Sequence, residues 1–254
     1  MNLLIDVGNS RLKWASEQAG QISSIQALDY RQPQAYQSLE QQWLTLPRPN
    51  KIAIACVGAA QQIIAVEALA HRLWPAIEII IPKSSATFGS VLNAYHQPEK
   101  LGVDRWLALL AAHHYYPANN CIIDCGTAIT LDFIDSQGQH RGGLISPGLL
   151  LMKKALAQNT AALDLNQQTQ VLGLADNTIS AIDSGTFLAA IGLIEAAIKR
   201  YQPVEQVIIT GGDADLIGQY LSMNLISDQA LVLKGLLVSI NTIPTGKVNG
   251  TNQL

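Results

Sequence analysis

An α/β fold built from two similar halves is what this sequence predicts, on three observations. Short apolar runs ending in turn residues alternate with helical patterns. The chain is 48% hydrophobic and only 14% charged, enough apolar material for buried sheets. A strand-and-turn motif near residue 6 recurs near residue 124, about half the chain later.

The strands follow in order from their β-type composition and turn endings. Residues 3–5 run into Asp6-Val7-Gly8-Asn9-Ser10, and 51–57 stop at Gly58. Residues 77–81 stop at Pro82, 121–123 at Asp124-Cys125-Gly126-Thr127, and 207–210 at Gly211-Gly212-Asp213. A further strand is expected over 129–134. Helical periodicity covers 61–73, 104–115, 149–158 and 180–201, the last rich in Ala and Ile. The polar segments 32–49 and 159–176 read as surface connections. The repeat pairs Asp6-Val-Gly-Asn-Ser, returning through Arg-Leu-Lys-Trp-Ala, with Asp124-Cys-Gly-Thr-Ala, returning through Ile-Thr-Leu-Asp-Phe. Two lobes are expected, 1–117 and 118–254, divided at the polar turn 116–120.

Composition excludes several classes. The 254 residues carry 16 Lys+Arg against 19 Asp+Glu, a net charge of −3, with no basic run to track a phosphate backbone. The amino terminus lacks a positive n-region, and Asp6 interrupts its apolar run, so no secretory signal is expected. No uninterrupted apolar stretch calls for a membrane span. A cytoplasmic protein with no nucleic-acid or membrane partner is the expectation. The three cysteines, Cys56, Cys121 and Cys125, sit in apolar stretches and read as reduced, buried thiols. His71, His96 and His140 have no partner at metal-ligand spacing.

Chemistry concentrates in the turns. A glycine after a strand end lets a phosphate approach the backbone, and successive N–H groups there form an anion site. In the first turn Asn9, Ser10 and Lys13 add donors and a positive charge, and Asp6 is placed to hold Mg²⁺ through water. One such turn alone is more often an ordinary Asx–glycine turn. The second copy, with Asp124 and Thr127, makes two opposed turns that could grip a triphosphate, and Gly211-Gly212 adds a third. The other nucleotide signatures, Gly-x-Gly-x-x-Gly and Gly-x4-Gly-Lys-[Ser/Thr], are absent. In Gly102-Val103-Asp104-Arg105, Asp104 is either a helix N-cap or the group that orients or deprotonates an acceptor hydroxyl. Arg105 opposes the helix dipole as a structural residue, but would suit bidentate contact to a substrate carboxylate.

Together these segments, with Gly142-Gly143 and Pro147-Gly148, resemble the type III pantothenate kinases of the actin, sugar-kinase and chaperone-ATPase superfamily. The resemblance covers nearly the whole chain in the family's order. It implies two actin-like (ribonuclease H-like) lobes related by internal duplication, with ATP in the cleft between them. It implies ATP-dependent phosphorylation of pantothenate, the first step of coenzyme A synthesis. By it, Asp6, Val7, Gly8, Asn9, Ser10, Arg11, Leu12, Lys13 and Thr127 bind ATP, and Asp104 accepts the proton. Tyr95, Gly102, Val103, Asp104 and Arg105 line the pantothenate pocket, with Thr178 reaching it across a homodimer interface and Thr186 the competitor for that role. Asp124 matches the site of a monovalent cation, K⁺ or NH₄⁺. Ser10 stands where the family more often has threonine, and keeps the hydroxyl. A sugar or acetate kinase of the same superfamily, or a non-catalytic nucleotide-binding regulator, are the competing readings.

Overall fold

A computed structural model describes residues 1–30, 32–57, 60–157 and 173–241. The elements run β1 (Asn2–Val7), β2 (Leu12–Gln18), β3 (Gln21–Ile22), β4 (Gln26–Leu28), α1 (Ala35–Leu44), β5 (Lys51–Cys56), α2 (Ala60–Leu73) and β6 (Glu78–Ile80). A small hairpin, β7 (Thr87–Phe88) and β8 (Val91–Leu92), precedes α3 (Val103–Tyr115). Then come β9 (Asn120–Cys125), β10 (Ala128–Ile134), β11 (His140–Pro147), α4 (Leu149–Ala157) and α5 (Thr178–Arg200). The described chain closes with β12 (Gln206–Thr210), α6 (Ala214–Gly218), β13 (Ile226–Ser227) and α7 (Leu231–Asn241).

Two sheets share one topology. The first is ordered β3-β2-β1-β5-β6, with β4 also paired to β2, and the second β11-β10-β9-β12-β13. In each, the central strand pairs antiparallel with its hairpin return and parallel with the next strand, β1 with β2 and β5, β9 with β10 and β12. The internal repeat is therefore a repeat of fold, and the expected α/β class with two actin-like halves holds.

Period-two alternation sorts the side chains into layers. Leu3, Ile5 and Val7 of β1, with Ile52 and Ile54 of β5, pack outward against Leu39 and Trp43 of α1 and Val66 and Ala70 of α2. Cys121, Ile123 and Cys125 of β9 pack outward on α5 and α6. The opposite faces, Leu4, Ala53 and Ala55 of one sheet and Ile122 and Ile208 of the other, close on α3 and α7 between them. Small residues on the first sheet's inner face leave room for α7, which packs on β1 and β5 although it comes from the second half of the chain.

The segment 32–49, expected as a surface connection, contains α1. Ala35, Leu39 and Trp43 recur at four-residue spacing and bury on one face, and Trp43 stacks on Trp74 at 5.8 Å. The glutamines around this narrow stripe hide it from a reading by composition. The expected helix over 149–158 ends at Ala157 as described, and most of the segment 159–176 lies outside the described residues.

α3 and α7 cross with almost no space. A Cβ on Gly235 of α7 would stand against the Leu107 carbonyl of α3, a backbone group that cannot swing aside. Gly235→Ala is expected to lower unfolding stability by ~1–3 kcal/mol through overpacking. Equilibrium urea unfolding measures this, and an unchanged midpoint would mean that α7 slides away at no cost.

Candidate active site

Strand alternation decides where the two turn carboxylates point. In β1, Asp6 has the parity of the inward Leu4, and in β9, Asp124 has that of the inward Ile122. Both therefore face the middle layer, where α3 begins. Asp104, in the first turn of α3, makes a third carboxylate.

All three are half-buried, and they act on one another. Burial pushes Asp6 up to about 7, the charge of Asp104 adds to the rise, Lys13 opposes it, and Asp124 adds a smaller share. Burial pushes Asp124 up to about 6, with Asp104 adding and Lys13 opposing. Burial raises Asp104 too, against the pull of the Arg105 amide, which donates to its Oδ1 at 2.7 Å, and of the Arg105 charge. Like charges crowded out of water in this way favour a bound proton or a bound cation. The same arrangement tests the cations that a phosphate-binding reading implies. Among the described residues no three acidic, His or Cys side chains converge to hold a metal alone. A cation here takes few protein oxygens and completes its shell with water or phosphate, which is the habit of Mg²⁺. Asp124 borders the third glycine turn. At Gly211, φ 100°, a Cβ would come within 2.5 Å of both Asp124 Oδ1 and the Cys125 carbonyl oxygen. The Cys125 carbonyl accepts the Asp213 amide at 2.9 Å, so the third glycine turn is packed directly on the end of β9.

The first two glycine turns are tight and meet each other. Gly8 N–H donates to the Arg11 carbonyl at 3.0 Å, Gly126 N–H donates to the Ala128 carbonyl at 3.0 Å, and the Tyr30 hydroxyl donates to the Gly8 carbonyl at 2.6 Å. Ser10 Oγ and Thr127 Oγ1 stand 3.1 Å apart, so hydroxyls from the two halves converge. Val7 and Leu12 bury their side chains in the core and offer only backbone to a ligand. Asn9 and Arg11 are exposed, and Lys13 is cross-strand partner to Asp6. Arg11 also faces the third glycine turn. Burial raises Asp213, and the charges of Arg11 and Lys153 pull against that rise.

The start of α3 differs from the expectation in two respects. Gly102 caps α3 from an extended conformation and Val103 opens the helix, so Asp104 is not the N-cap residue. Sequence reasoning gave the Arg105 fork to a substrate carboxylate, but the structure spends it on Asp132. Nε donates to Oδ2 at 2.7 Å and Nη2 to Oδ1 at 2.7 Å, while Nη1 donates to the Tyr95 hydroxyl at 2.9 Å. Of five N–H donors, one on Nη1 and one on Nη2 remain. An open depression of about 530 Å³ lies beside this group, lined by Tyr95, Gln97, Lys100 and Gly143 among others.

Two residues were not singled out from the sequence. Asp132 reads as one polar position inside an apolar strand, and that buried carboxylate was the available signal. His140, which has no partner at metal-ligand spacing in the sequence, is fully buried and bonded to Asp132 at 3.0 Å. Thr178 and Thr186 separate clearly. Thr186 is buried and spends its hydroxyl on the Ile182 and Asp183 carbonyls, at 2.8 and 3.1 Å, whereas Thr178 is exposed at the start of α5. The described residues bring together Asp6, Ser10, Lys13, Thr127, Asp124 and Asp104, with Tyr95 and Arg105 adjoining, and leave Thr178 at a helix end.

The raised carboxylates fix the sign of a pH effect. Unfolded aspartates titrate near ~3.9, whereas folded Asp6 and Asp124 titrate near 7 and 6. Between those values the native state holds more protons, so the stability these groups contribute is full below the unfolded value. It is lost as pH rises through the folded ones. In chelator, without nucleotide, Tm is expected to fall from pH 5 to pH 8 and to fall less in Asp6→Asn. A wild-type Tm that climbs over that range contradicts the carboxylate account.

The type III pantothenate kinase family profile matches residues 2–200. A type III pantothenate kinase of Nitrosococcus oceani is 35% identical over 249 residues, spanning 93% of this chain and 92% of the relative. Among solved structures, a Baf family transcriptional activator from Campylobacter jejuni superposes with TM-score 0.60 at 22% identity, over 94% of this chain and 97% of that one. A 2-dehydro-3-deoxygalactonokinase protein from Sinorhizobium meliloti superposes with TM-score 0.59 at 13% identity, over 99% and 100%. At these identities the two structures speak for the fold alone.

Proposed function

The chain belongs to the type III pantothenate kinase family, and we propose how its residues divide the work of moving the γ-phosphoryl group of ATP to pantothenate. This is the step that opens coenzyme A synthesis, and membership selects pantothenate over a sugar or acetate as acceptor. One observation carries the residue assignment: carboxylates from both halves and from the central helix converge where the two glycine turns meet.

The backbone of residues 6–13, with Asn9, Ser10, Arg11 and Lys13, holds the ATP phosphates from one lobe, and Thr127 holds them from the other. Residues 1–117 and 118–254 are the two lobes in this reading. Asp6 would hold Mg²⁺ through water and Asp124 a K⁺ or NH₄⁺ ion, and these cations supply neutralisation of phosphate charge. Asp104 accepts a hydrogen bond from the primary hydroxyl of pantothenate and aims its oxygen in line with the γ-phosphorus. Burial makes Asp104 a stronger base than a carboxylate in water, so it can also take the proton once the new P–O bond is well formed. Gly102, Val103, Tyr95 and the unspent N–H donors of Arg105 face the rest of the acceptor.

A homodimer is part of the proposal. α5 is a 23-residue helix long and apolar enough to cross a membrane, but its Ile191 and Ile194 are buried in the second lobe's core. Its other face exposes Gly185, Leu188, Ala189 and Gly192, and nothing lies within 4 Å of a Cβ at either glycine. Each glycine costs a helix about 1 kcal/mol relative to alanine. A face so flat and apolar suits the same helix of a second copy, which would carry Thr178 toward the neighbouring acceptor site. From Gly185 to Gly192 this face carries no charged residue, which suits a covered interface more than a solvated surface.

Asp104→Asn is expected to lower kcat by ~10²–10⁴ with the KM for ATP nearly unchanged. Steady-state kinetics reads this, and unchanged turnover would remove Asp104 from the chemistry. Turnover in K⁺ but not Na⁺ is expected from the Asp124 assignment, and equal rates in both salts would discard the cation while keeping the substrate. Leu188→Glu is expected to give a monomer in sedimentation velocity with a raised KM for pantothenate. A dimer that persists places the interface elsewhere.

A further inference from the structure

His140 reaches the inside of the protein by an irregularity in its strand. Pairing of β10 with β11 sets Asp132 opposite Gly143 and Phe133 opposite Gly142, then shifts so that Ile134 faces His140. Unbroken alternation back from Gly143 would turn Arg141 inward and His140 outward. The shift drops Arg141 out of the pairing, with Gly142 at φ 100°, and returns His140 to the inner face beside Asp132. Arg141 is exposed, and His140 has no accessible surface.

There the ring is committed at both nitrogens. The Ala94 amide donates to Nδ1 at 3.3 Å, so Nδ1 carries the lone pair and the proton sits on Nε2. Nε2 donates to Asp132 Oδ1 at 3.0 Å. The same carboxylate takes the fork of Arg105 through both oxygens. Tyr95, next to Ala94, closes the circuit: its hydroxyl accepts from Arg105 Nη1, and its ring stacks on His140 at 6.2 Å. Gly143 makes room, since a Cβ there would stand against Asp132 Oδ1 and Arg105 Nη2.

We propose that Asp132 and His140 are positioning residues for pantothenate. They form a buried chain from the Ala94 amide to Arg105 that fixes both the Tyr95 segment and the guanidinium bordering the acceptor site. Asp132 neutralises Arg105, so the acceptor meets two aimed N–H donors and not a free charge. The inference rests on the reading of the Asp104–Arg105 end of α3 as the acceptor side. It predicts that both residues govern acceptor binding and leave ATP binding alone.

The two bonds of His140 can be broken separately. His140→Gln keeps an N–H near the Nε2 position and loses the acceptor for Ala94, while His140→Asn keeps that acceptor and loses the donor to Asp132. Together with Asp132→Asn, both are expected to raise the KM for pantothenate by about tenfold or more, the order that a small misplacement of a binding group produces. The KM for ATP should stay within about twofold. On an Arg105→Lys background, His140→Asn should add much less, since it acts through a group already displaced. Fully additive effects, or equal rises in both KM values, overturn the proposal. So does an unchanged pantothenate KM in folded His140 variants when Arg105→Lys itself raises it. Arg105→Lys leaving that KM at the wild-type value instead overturns the acceptor-site reading. In the unmutated protein, nitrogen NMR of the His140 ring should show a shift when pantothenate is added and none with ADP, and silence toward pantothenate counts against the chain.

Discussion

Helix α3 is buried on every side, from Arg105 through Ala112, with a sheet to either side and α7 along it. A helix in that position can carry a guanidinium only if the protein supplies a counter-charge, because a buried charge without a partner costs several kcal/mol. Asp132 supplies it across two short hydrogen bonds. The pair ties the first turn of α3 to β10 of the second sheet, and Gly235 holds the body of the helix against α7. Much of what the site contains follows from where this helix begins. Its first turn delivers Asp104 to the inner faces of both sheets at once.

The carboxylates at the glycine turns are held together at an electrostatic cost. Asp6, Asp124 and Asp104 press on one another, and Lys13 is the positive group that acts on both turn carboxylates. A fold tolerates such crowding where the layers around it are well packed, as the three apolar clusters are. The strain is electrostatic and confined to the mouth of the turns, so cations arriving with phosphates would relieve it. Stability depends on pH through the same few carboxylates.

Around Arg105 the structure favours orientation over free charge. Arg105 is enclosed, bonded to Tyr95 and stacked near its ring at 5.7 Å, so the group lies in one place. A fork held by a buried carboxylate offers direction at the expense of free charge. The bulge that turns His140 inward extends that constraint to the chain around Ala94.

By itself the sequence determined the repeat. Asp6-Val-Gly and Asp124-Cys-Gly are local patterns of strand, carboxylate and turn, and locality is what a sequence records. The paired sheets, their shared topology and the positions of the glycine turns were legible from them, as was α3 from its apolar period. The polar look of α1 concealed its buried stripe, because composition averages over a face only one residue wide. Tertiary structure alone decided the partner of Arg105, since Asp132 lies 27 residues away and on another layer. It alone turned His140 inward, because the parity of a strand is lost at a register shift that pairing, not sequence, creates. It also separated Thr186 from Thr178, for a hydroxyl's availability depends on which carbonyls stand within reach after folding.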